Sequence, residues 1–479
     1  MHSNQTLKEY IGGRSCAILG LGVSNLPLAK LLSEWGISLT VYDKKTPEML
    51  GEAALSLREA GVHFVSGEDC FAHPEGELIF RSPGIRPDRP GLLQAAENGG
   101  ELTGEVALFL GLTPAKTFGI TGSDGKTTST TLTGLFLKAE AERQKIGTVF
   151  VGGNIGTPLL TKLDEMTEQD SAVLELSSFQ LMDLTHAPTF VALTNISPNH
   201  LDWHRGMEEY IAAKRQIVGE NTLRLVTNLE NQAAAEIGRE IAKEGGREVI
   251  FFTSKRSHPE EFAPDCPKGC SVLYERDGEI LLYDGACEKP LLKTARIRVP
   301  GRHNIENFMT AMGLTLGLVD PAVYGAVADT FTGVEHRLEF VRELDSVTYY
   351  NSSIDSSPTR TAAALSALKG RDIVVICGGY DKKIPYEPLA ESLCETVRAV
   401  VLTGATAGKI RDALERCPAY DPSVLTVVTE EDFADAVSRA RSLARPGGCV
   451  LLSPASASFD RFDNFAERGE YFKTLVRGF

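Results

Sequence analysis

The chain has no surplus of positive charge. Against 49 Lys and Arg stand 64 Asp and Glu, a net charge of −15 over 479 residues. A nucleic-acid binder draws most of its affinity from clustered cations, so the charge argues against a general phosphate-backbone binder while leaving room for local basic pockets that take a small anion. Nor does any run approach the roughly 18 uncharged apolar residues that a membrane span needs, and no membrane insertion is expected. The opening MHSNQTLKEYIGG lacks a basic stretch followed by an apolar core, which predicts a cytoplasmic protein. Cysteine is scattered and odd in number, nine in all, with only Cys266 and Cys270 close together in CPKGC. No second Cys or His pair completes a zinc-like spacing, so reduced structural thiols are expected. Low-complexity tracts and fixed-period repeats are absent too.

What remains is an ordinary globular composition, 42% hydrophobic and 24% charged. Its length calls for two to four domains. Short, β-branched, nearly continuous apolar runs alternate with amphipathic stretches, the pattern of parallel strands covered on both faces. This predicts an α/β fold of three consecutive domains, bounded near 1–112, 113–333 and 334–479, with seams at GLTPAK and FTGVEHR. The first opens like a Rossmann unit, SCAILGLGVS, LPLAKLLSEWG and SLTVYD. Its glycine fingerprint is incomplete, because Gly20 and Gly22 are followed by Asn25 where a dinucleotide site takes Gly or Ala. A nucleotide bearing phosphate at this turn fits better than NAD, and a nicotinamide oxidoreductase is the weaker alternative.

In GITGSDGKTT a strand leads into a glycine-bracketed lysine. Backbone amides of such a loop turn toward phosphate, Lys126 adds a point charge and Thr127 a hydroxyl for Mg²⁺. The strict phosphate-loop spacing is not met, with five residues between Gly119 and Gly125 and two between Gly122 and Gly125. A plain glycine-rich turn is the alternative. Glu175 stands alone in the apolar strand of VLELSSFQL; burial of a carboxylate is costly without a cation or donors, making it a candidate Mg²⁺ ligand or a loop cap. Asn199, His200, Asp202 and His204 cluster after another apolar strand, at the ligand-facing edge of an open sheet. In GMEEYIAAKRQIV, Lys214 falls on the stripe Met207, Tyr210, Ile211, Ile217 and Val218. Either its stem snorkels, or the amine is desolvated, its pKa falls from about 10.4, and the neutral form adds CO₂ as a carbamate.

Taken together, GLGVS, SPGI, GITGSDGKTT, GGNIG, LELSSFQL, NHLDWH, AAKRQI, GRHNIEN, GVEHRLE, GGYDKK and LLSPASASFDRFDNFAERGEYF resemble the Mur ligase family, ATP-dependent amide-bond formers of peptidoglycan precursor synthesis. The resemblance spans essentially the whole chain. It implies a Rossmann-like first domain, a P-loop ATPase-like central domain and a Rossmann-like third. The substrates it implies are UDP-N-acetylmuramoyl-L-alanine, D-glutamate and ATP, handled by a monomer. A sister ligase taking another amino acid and a nonenzymatic ATP-sensing module stay open as alternatives.

By the same resemblance, Gly122, Ser123, Asp124, Gly125, Lys126, Thr127 and Thr128 form the ATP loop. Thr127 and Glu175 hold one Mg²⁺, and His200 with carbamylated Lys214 a second. Asn304 and Asn307 contact adenine, although alone they read as helix-start caps. His336 and Arg337 reach nucleotide and amino acid. Val23, Ser24, Asp43, Lys44, Lys45, Ser82, Gly84 and Asn154 hold the sugar nucleotide, and Lys382, Ser458 and Phe465, with Arg337, hold D-glutamate. Read by itself, Phe465 is a core residue. Two departures stand out. NSSIDSSPT carries Ser352 and Ile354 where many members have an acid and a lysine, with Asp355 the candidate substitute. GGYDKK carries an additional Tyr380 before Asp381, which bears on the equivalence of Lys382.

Overall fold

The computed structural model describes residues 6–479, apart from Val23, Asp183, Asp202 and Lys383. The chain forms two compact units: residues 1–294 with 305–327, and residues 295–304 with 328–479.

The first unit carries two sheets. One comprises β1 (Cys16–Leu19), β2 (Leu39–Asp43), β3 (His63–Ser66), β4 (Leu78–Arg81) and β5 (Glu101–Thr103), all parallel in the order β3-β2-β1-β4-β5. That order reverses direction beside β1, where the glycine turn Gly20–Gly22 begins, and the crevice at such a reversal is where open α/β sheets take ligands. Asn25 explains the broken fingerprint. Its Nδ2 donates to the Gly20 carbonyl at 3.0 Å, so an amide occupies the space that a close-packed glycine leaves in a dinucleotide turn. The Asp43 carboxylate, at the end of β2, ties that glycine turn to its own loop, accepting from the Leu21 and Lys45 amides at 2.8 and 2.9 Å.

The second sheet comprises β6 (Lys116–Thr121), β7 (Val149–Gly153), β8 (Ser171–Glu175), β9 (Phe190–Leu193), β10 (Arg224–Asn228), β11 (Glu248–Thr253), β12 (Ser271–Arg276), β13 (Glu279–Tyr283) and β14 (Glu288–Lys293), in the order β14-β13-β12-β11-β10-β9-β6-β8-β7. β6 to β12 run parallel, and β13 and β14 extend the edge as an antiparallel meander. The central β6, β8, β9 and β10 are buried along nearly their whole length. One apolar core runs from Ile18 and Phe80 under the first sheet through Phe109 to Leu160, Leu174 and Val191 under the second. Truncating a buried Phe such as Phe109 costs about 3–5 kcal/mol.

The second unit has one six-stranded sheet: β15 (Glu339–Leu344), β16 (Val347–Asn351), β17 (Ile373–Cys377), β18 (Ala399–Leu402), β19 (Thr426–Thr429) and β20 (Cys449–Leu452), ordered β15-β16-β20-β17-β18-β19. Only β15 is antiparallel. Helices cover both faces, giving one core around Leu365, Val375 and Leu402 and another around Val374, Val401 and Phe472.

Candidate functional site

β6 delivers the chain into a loop that only glycine permits at two places. Gly122 has φ 153°, and a Cβ there would lie 1.8 Å from Thr194 Oγ1. Gly125 sits in the left-handed region at φ 79°, and its Cβ would meet Asn307 Oδ1 at 2.5 Å. From Gly125 the chain enters the helix Lys126–Gln144, whose first amides have no partner within the helix and favour an anion. Asn195 holds the loop from the next strand end: its Oδ1 accepts from the Asp124 amide at 2.9 Å and its Nδ2 donates to the Asp124 carbonyl at 3.2 Å. Ser123 Oγ donates to the Ser197 carbonyl at 2.9 Å and meets Tyr210 Oη at 3.0 Å. Thr127 and Thr128 are half-buried in the first helical turn.

Two amines converge on this loop. Lys126 Nζ donates to the Gly122 and Ser123 carbonyls at 2.9 and 2.8 Å. Lys214, on the helix Met207–Arg215, donates to the same Gly122 carbonyl at 2.8 Å and to Thr121 Oγ1 at 3.3 Å. Snorkelling is ruled out, since Lys214 is 1% exposed and its amine lies 4.7 Å from the Tyr210 ring centre. Burial, reinforced by the charge of Lys126, pulls its pKa down to about 7, with Asp124 and Glu175 opposing.

Glu175 ends β8 opposite Ile120, beside the loop. It is 2% exposed. Its Oε1 accepts from Asn154 Nδ2 at 2.8 Å, whereas Oε2 is buried with no hydrogen-bond partner. Such an atom is costly unless a cation meets it. An oxygen aimed inward beside a phosphate-type loop suits a hard divalent ion. His200 has φ 54° and an exposed side chain whose ring packs edge-on to Phe179 at 5.1 Å. His204 is not a ligand-facing residue: it is buried, with Nε2 2.9 Å from Ser178 Oγ and Nδ1 3.3 Å from Glu209. Asp202 and Val23 lie outside the described residues.

The sugar-nucleotide candidates Ser24, Asp43, Lys44, Lys45, Ser82 and Gly84 fall at the carboxyl edge of the five-stranded sheet. Ser82 packs under Gly20, where a Cβ would meet its own at 3.0 Å. Ser24 is half-buried, Gly84 and Lys45 are exposed, and Lys44 pairs with Glu68. Asn304 and Asn307 lie on the helix Arg302–Thr315. Asn304 Nδ2 donates to the Pro300 carbonyl at 2.6 Å. Asn307 is no cap: it is buried a turn inside the helix and accepts from Ser129 Oγ at 3.3 Å.

In the second unit, His336 is buried at φ 62°, its Nδ1 3.0 Å from Asn351 Nδ2, and burial lowers its pKa. Gly469 makes room for the ring, because a Cβ there would stand 2.2 Å from Nδ1. Arg337 is exposed. Phe465 is not core: it is 39% exposed, with its ring edge-on to His336 at 5.8 Å. Lys382 Nζ reaches the Ser356 carbonyl and hydroxyl at 3.3 and 3.2 Å, and Ser458 is buried. Asp355, the candidate substitute for the missing acid, is buried. It turns inward to accept from Ser453 Oγ at 2.9 Å, and burial raises its pKa to about 6. Tyr380 projects into solvent, its ring edge-on to exposed Phe459 at 5.9 Å.

Residues 120–315 match the Mur ligase middle domain, and residues 336–456 the Mur ligase glutamate ligase domain. A relative from Ruminiclostridium cellulolyticum, named UDP-N-acetylmuramoylalanine--D-glutamate ligase, is 41% identical over 478 residues, 98% of each chain. A protein of the same name from Clostridium novyi is also 41% identical, again over 98% of each. The chain belongs to the Mur ligase family. Among solved structures, UDP-N-acetylmuramate-alanine ligase from Thermotoga maritima shares its fold at TM-score 0.54 and 18% identity, covering 97% of this chain and 99% of that one. UDP-N-acetylmuramoyl-L-alanyl-D-glutamate--2,6-diaminopimelate ligase does so at TM-score 0.54 and 15% identity over 87% and 86%.

Sequence reading missed several residues on which this Mur ligase's site rests. Asn195, which clamps the phosphate-type loop, sits inside the strand-end segment NIS with nothing to mark it but its position. Arg81 is buried at the end of β4, its guanidinium donating to the Pro83 and Phe179 carbonyls at 3.1 and 3.2 Å. Arg468 is buried in the last helix of the chain and fixes the SPASAS segment through the Ser456 and Ala457 carbonyls at 3.1 and 2.9 Å. Among the described residues, no helix is long and apolar enough to cross a membrane.

Proposed function

We propose that this Mur ligase adds D-glutamate to UDP-N-acetylmuramoyl-L-alanine at the expense of ATP, with residues 1–112 taking the sugar nucleotide, 113–333 ATP and 334–479 the amino acid. The observation that carries the amino-acid assignment is the 41% identity, across 98% of the chain, to relatives named for that reaction. The reaction is amide formation. A carboxylate oxygen of the L-alanyl group attacks the γ-phosphorus and ADP leaves, giving an acyl phosphate. The D-glutamate amine attacks the acyl carbon, and the tetrahedral intermediate expels phosphate and loses a proton. Lys126 offsets charge on the phosphoryl oxygens as the bond to ADP breaks.

Thr127 and Glu175 are proposed to hold one Mg²⁺, supported by the unpartnered buried Glu175 Oε2. His200 and Lys214 are proposed to hold a second. Mg²⁺, when bound, screens the like charges of carboxylate and triphosphate. A pKa near 7 leaves much of Lys214 neutral at neutral pH. That amine adds CO₂ with release of a proton, and the resulting carbamate is an anionic oxygen donor. We assign the protein to the cytoplasm as a monomer.

The test is phosphate release from ATP with UDP-N-acetylmuramoyl-L-alanine and, in parallel, D-glutamate, L-alanine, L-lysine and diaminopimelate. Release with D-glutamate alone is expected. Release with another amino acid instead assigns a sister activity, and release with none overturns the ligase reading.

A further inference from the structure

The turn that carries His200 is gripped by a neighbouring loop on the five-stranded sheet. Arg86, four residues beyond Ser82, sends one edge of its guanidinium to Asp88 at 2.9 and 2.9 Å and another to Glu209 at 2.8 and 3.1 Å. The same group donates to the Trp203 carbonyl at 2.8 Å and stacks over the Trp203 ring at 4.9 Å. Trp203 replies: its indole Nε1 donates to the Gly84 carbonyl at 3.0 Å. Glu209 is shared, also accepting from the Arg205 amide at 2.8 Å and facing His204 Nδ1 at 3.3 Å. The amides of Trp203 and His204 both close onto the His200 carbonyl, at 3.1 and 3.0 Å. Phe179, whose ring touches His200, Trp203 and His204 at 5.1, 4.4 and 5.5 Å, fills the space beneath.

A planar fork that satisfies two carboxylates and a carbonyl while lying on an indole has one geometry, unlike a flexible ammonium. His200 stands in the left-handed region and is therefore held by its surroundings rather than by its own preference. We infer that Arg86 is a positioning residue: it couples the loop holding Ser82 and Gly84 to the turn presenting His200, so that occupation of the sugar-nucleotide loop and placement of His200 are linked. The inference rests on the ligase reading for its catalytic consequence, and on the geometry alone for the clasp.

The chain has two tryptophans, Trp35 and Trp203. In a Trp35→Phe background, emission therefore reports Trp203 alone, with no ligand present. Removing the stack and the carbonyl contact with Arg86→Ala is expected to red-shift that emission and raise acrylamide quenching about two-fold, a change expected of a ring released to water. In turnover, Arg86→Ala is expected to lower kcat about 10- to 100-fold. The Mg²⁺ concentration for half-maximal rate should rise about 10-fold, with the KM for ATP within two-fold of wild type. Arg86→Lys, which keeps charge without the fork, should fall between. If Arg86→Ala is poorly folded by circular dichroism, Arg86→Gln in the same background, which keeps part of the stem but removes the fork, replaces it with the same expectations.

An unchanged Trp203 emission overturns the clasp. A shifted emission with kcat, Mg²⁺ requirement and KM all within two-fold of wild type overturns the coupling. Should the parent protein release no phosphate with any amino acid, the ligase reading fails while the fluorescence arm still decides the clasp.

Discussion

Lys126 and Lys214 donate to one carbonyl oxygen, that of Gly122, at 2.9 and 2.8 Å. Two ammonium groups so placed repel one another, and the more buried yields. Burial first, and the nearby Lys126 charge second, pull the Lys214 pKa from 10.5 to about 7.

That depression has a sign. Between pH 7 and 10.5 the unfolded chain binds more protons at this lysine than the folded one, so stability rises with pH across that window. Lys214→Met removes the penalty. We expect turnover to vanish while stability at pH 7 rises by on the order of 3 kcal/mol, the gain shrinking toward pH 10.5. Urea unfolding at both pH values checks this. A variant less stable at pH 7 than the parent contradicts it.

Glu105 gives the opposite slope. It is buried and accepts from the Leu160 amide at 2.8 Å, and burial raises its pKa from 4.5 to about 7. The folded state here binds the extra proton, so stability is lost as pH climbs from 4.5 to 7. Glu105→Gln keeps an acceptor for Leu160 without a charge. It should gain about 2–3 kcal/mol at pH 8 and progressively less toward pH 4.5, measured by thermal unfolding across that range.

Steric room is tested at the loop glycines. Gly122→Ala places a methyl 1.8 Å from Thr194 Oγ1; loss of about 1–3 kcal/mol is expected, with weakened ATP binding. Gly408→Ala, in an exposed stretch of the helix Ala407–Arg416 with nothing within 4 Å, is the control. It should be neutral or gain up to about 1 kcal/mol.

Lys473 is buried among three carboxylates, Glu335 at 2.9 Å, Glu339 at 3.1 Å and Glu470 at 2.5 Å. Glu339 in turn accepts from the His336 amide at 2.9 Å and from Asn351 at 3.0 Å. Lys473→Met leaves buried Glu339 uncompensated and should cost about 3–5 kcal/mol. Adding Glu339→Gln should return part of that loss, which a double-mutant cycle by urea unfolding measures.

The central strands β6, β8, β9 and β10 were legible because each is a short, largely apolar run between turn residues, whereas edge strands such as β3 and β14 are more polar and more exposed and left no such mark. Lys214 was legible because its position on an apolar stripe forces the amine inward. Glu175 was legible for the same reason, as a charge in a place that repels one. Arg86 was not. Its partners Trp203 and Glu209 lie more than a hundred residues away, and no local period records a pairing made by tertiary contact. Asp355 was legible as a candidate substitute by its place three positions on, but not its burial, which comes from Ser453 on a distant strand end.

Arg468 has a bearing on how this protein tolerates change. Its guanidinium is satisfied by the Ser353, Ser456 and Ala457 carbonyls and the Ser353 hydroxyl. Carbonyls are furnished by every residue type, so drift among most of the neighbours leaves this anchor intact while loss of the arginine itself undoes it. The hold of Arg468 on the SPASAS segment is therefore indifferent to that segment's own side chains, and what limits their drift is instead their burial and hydroxyl pairings, such as Ser456 with Tyr386 and Thr406.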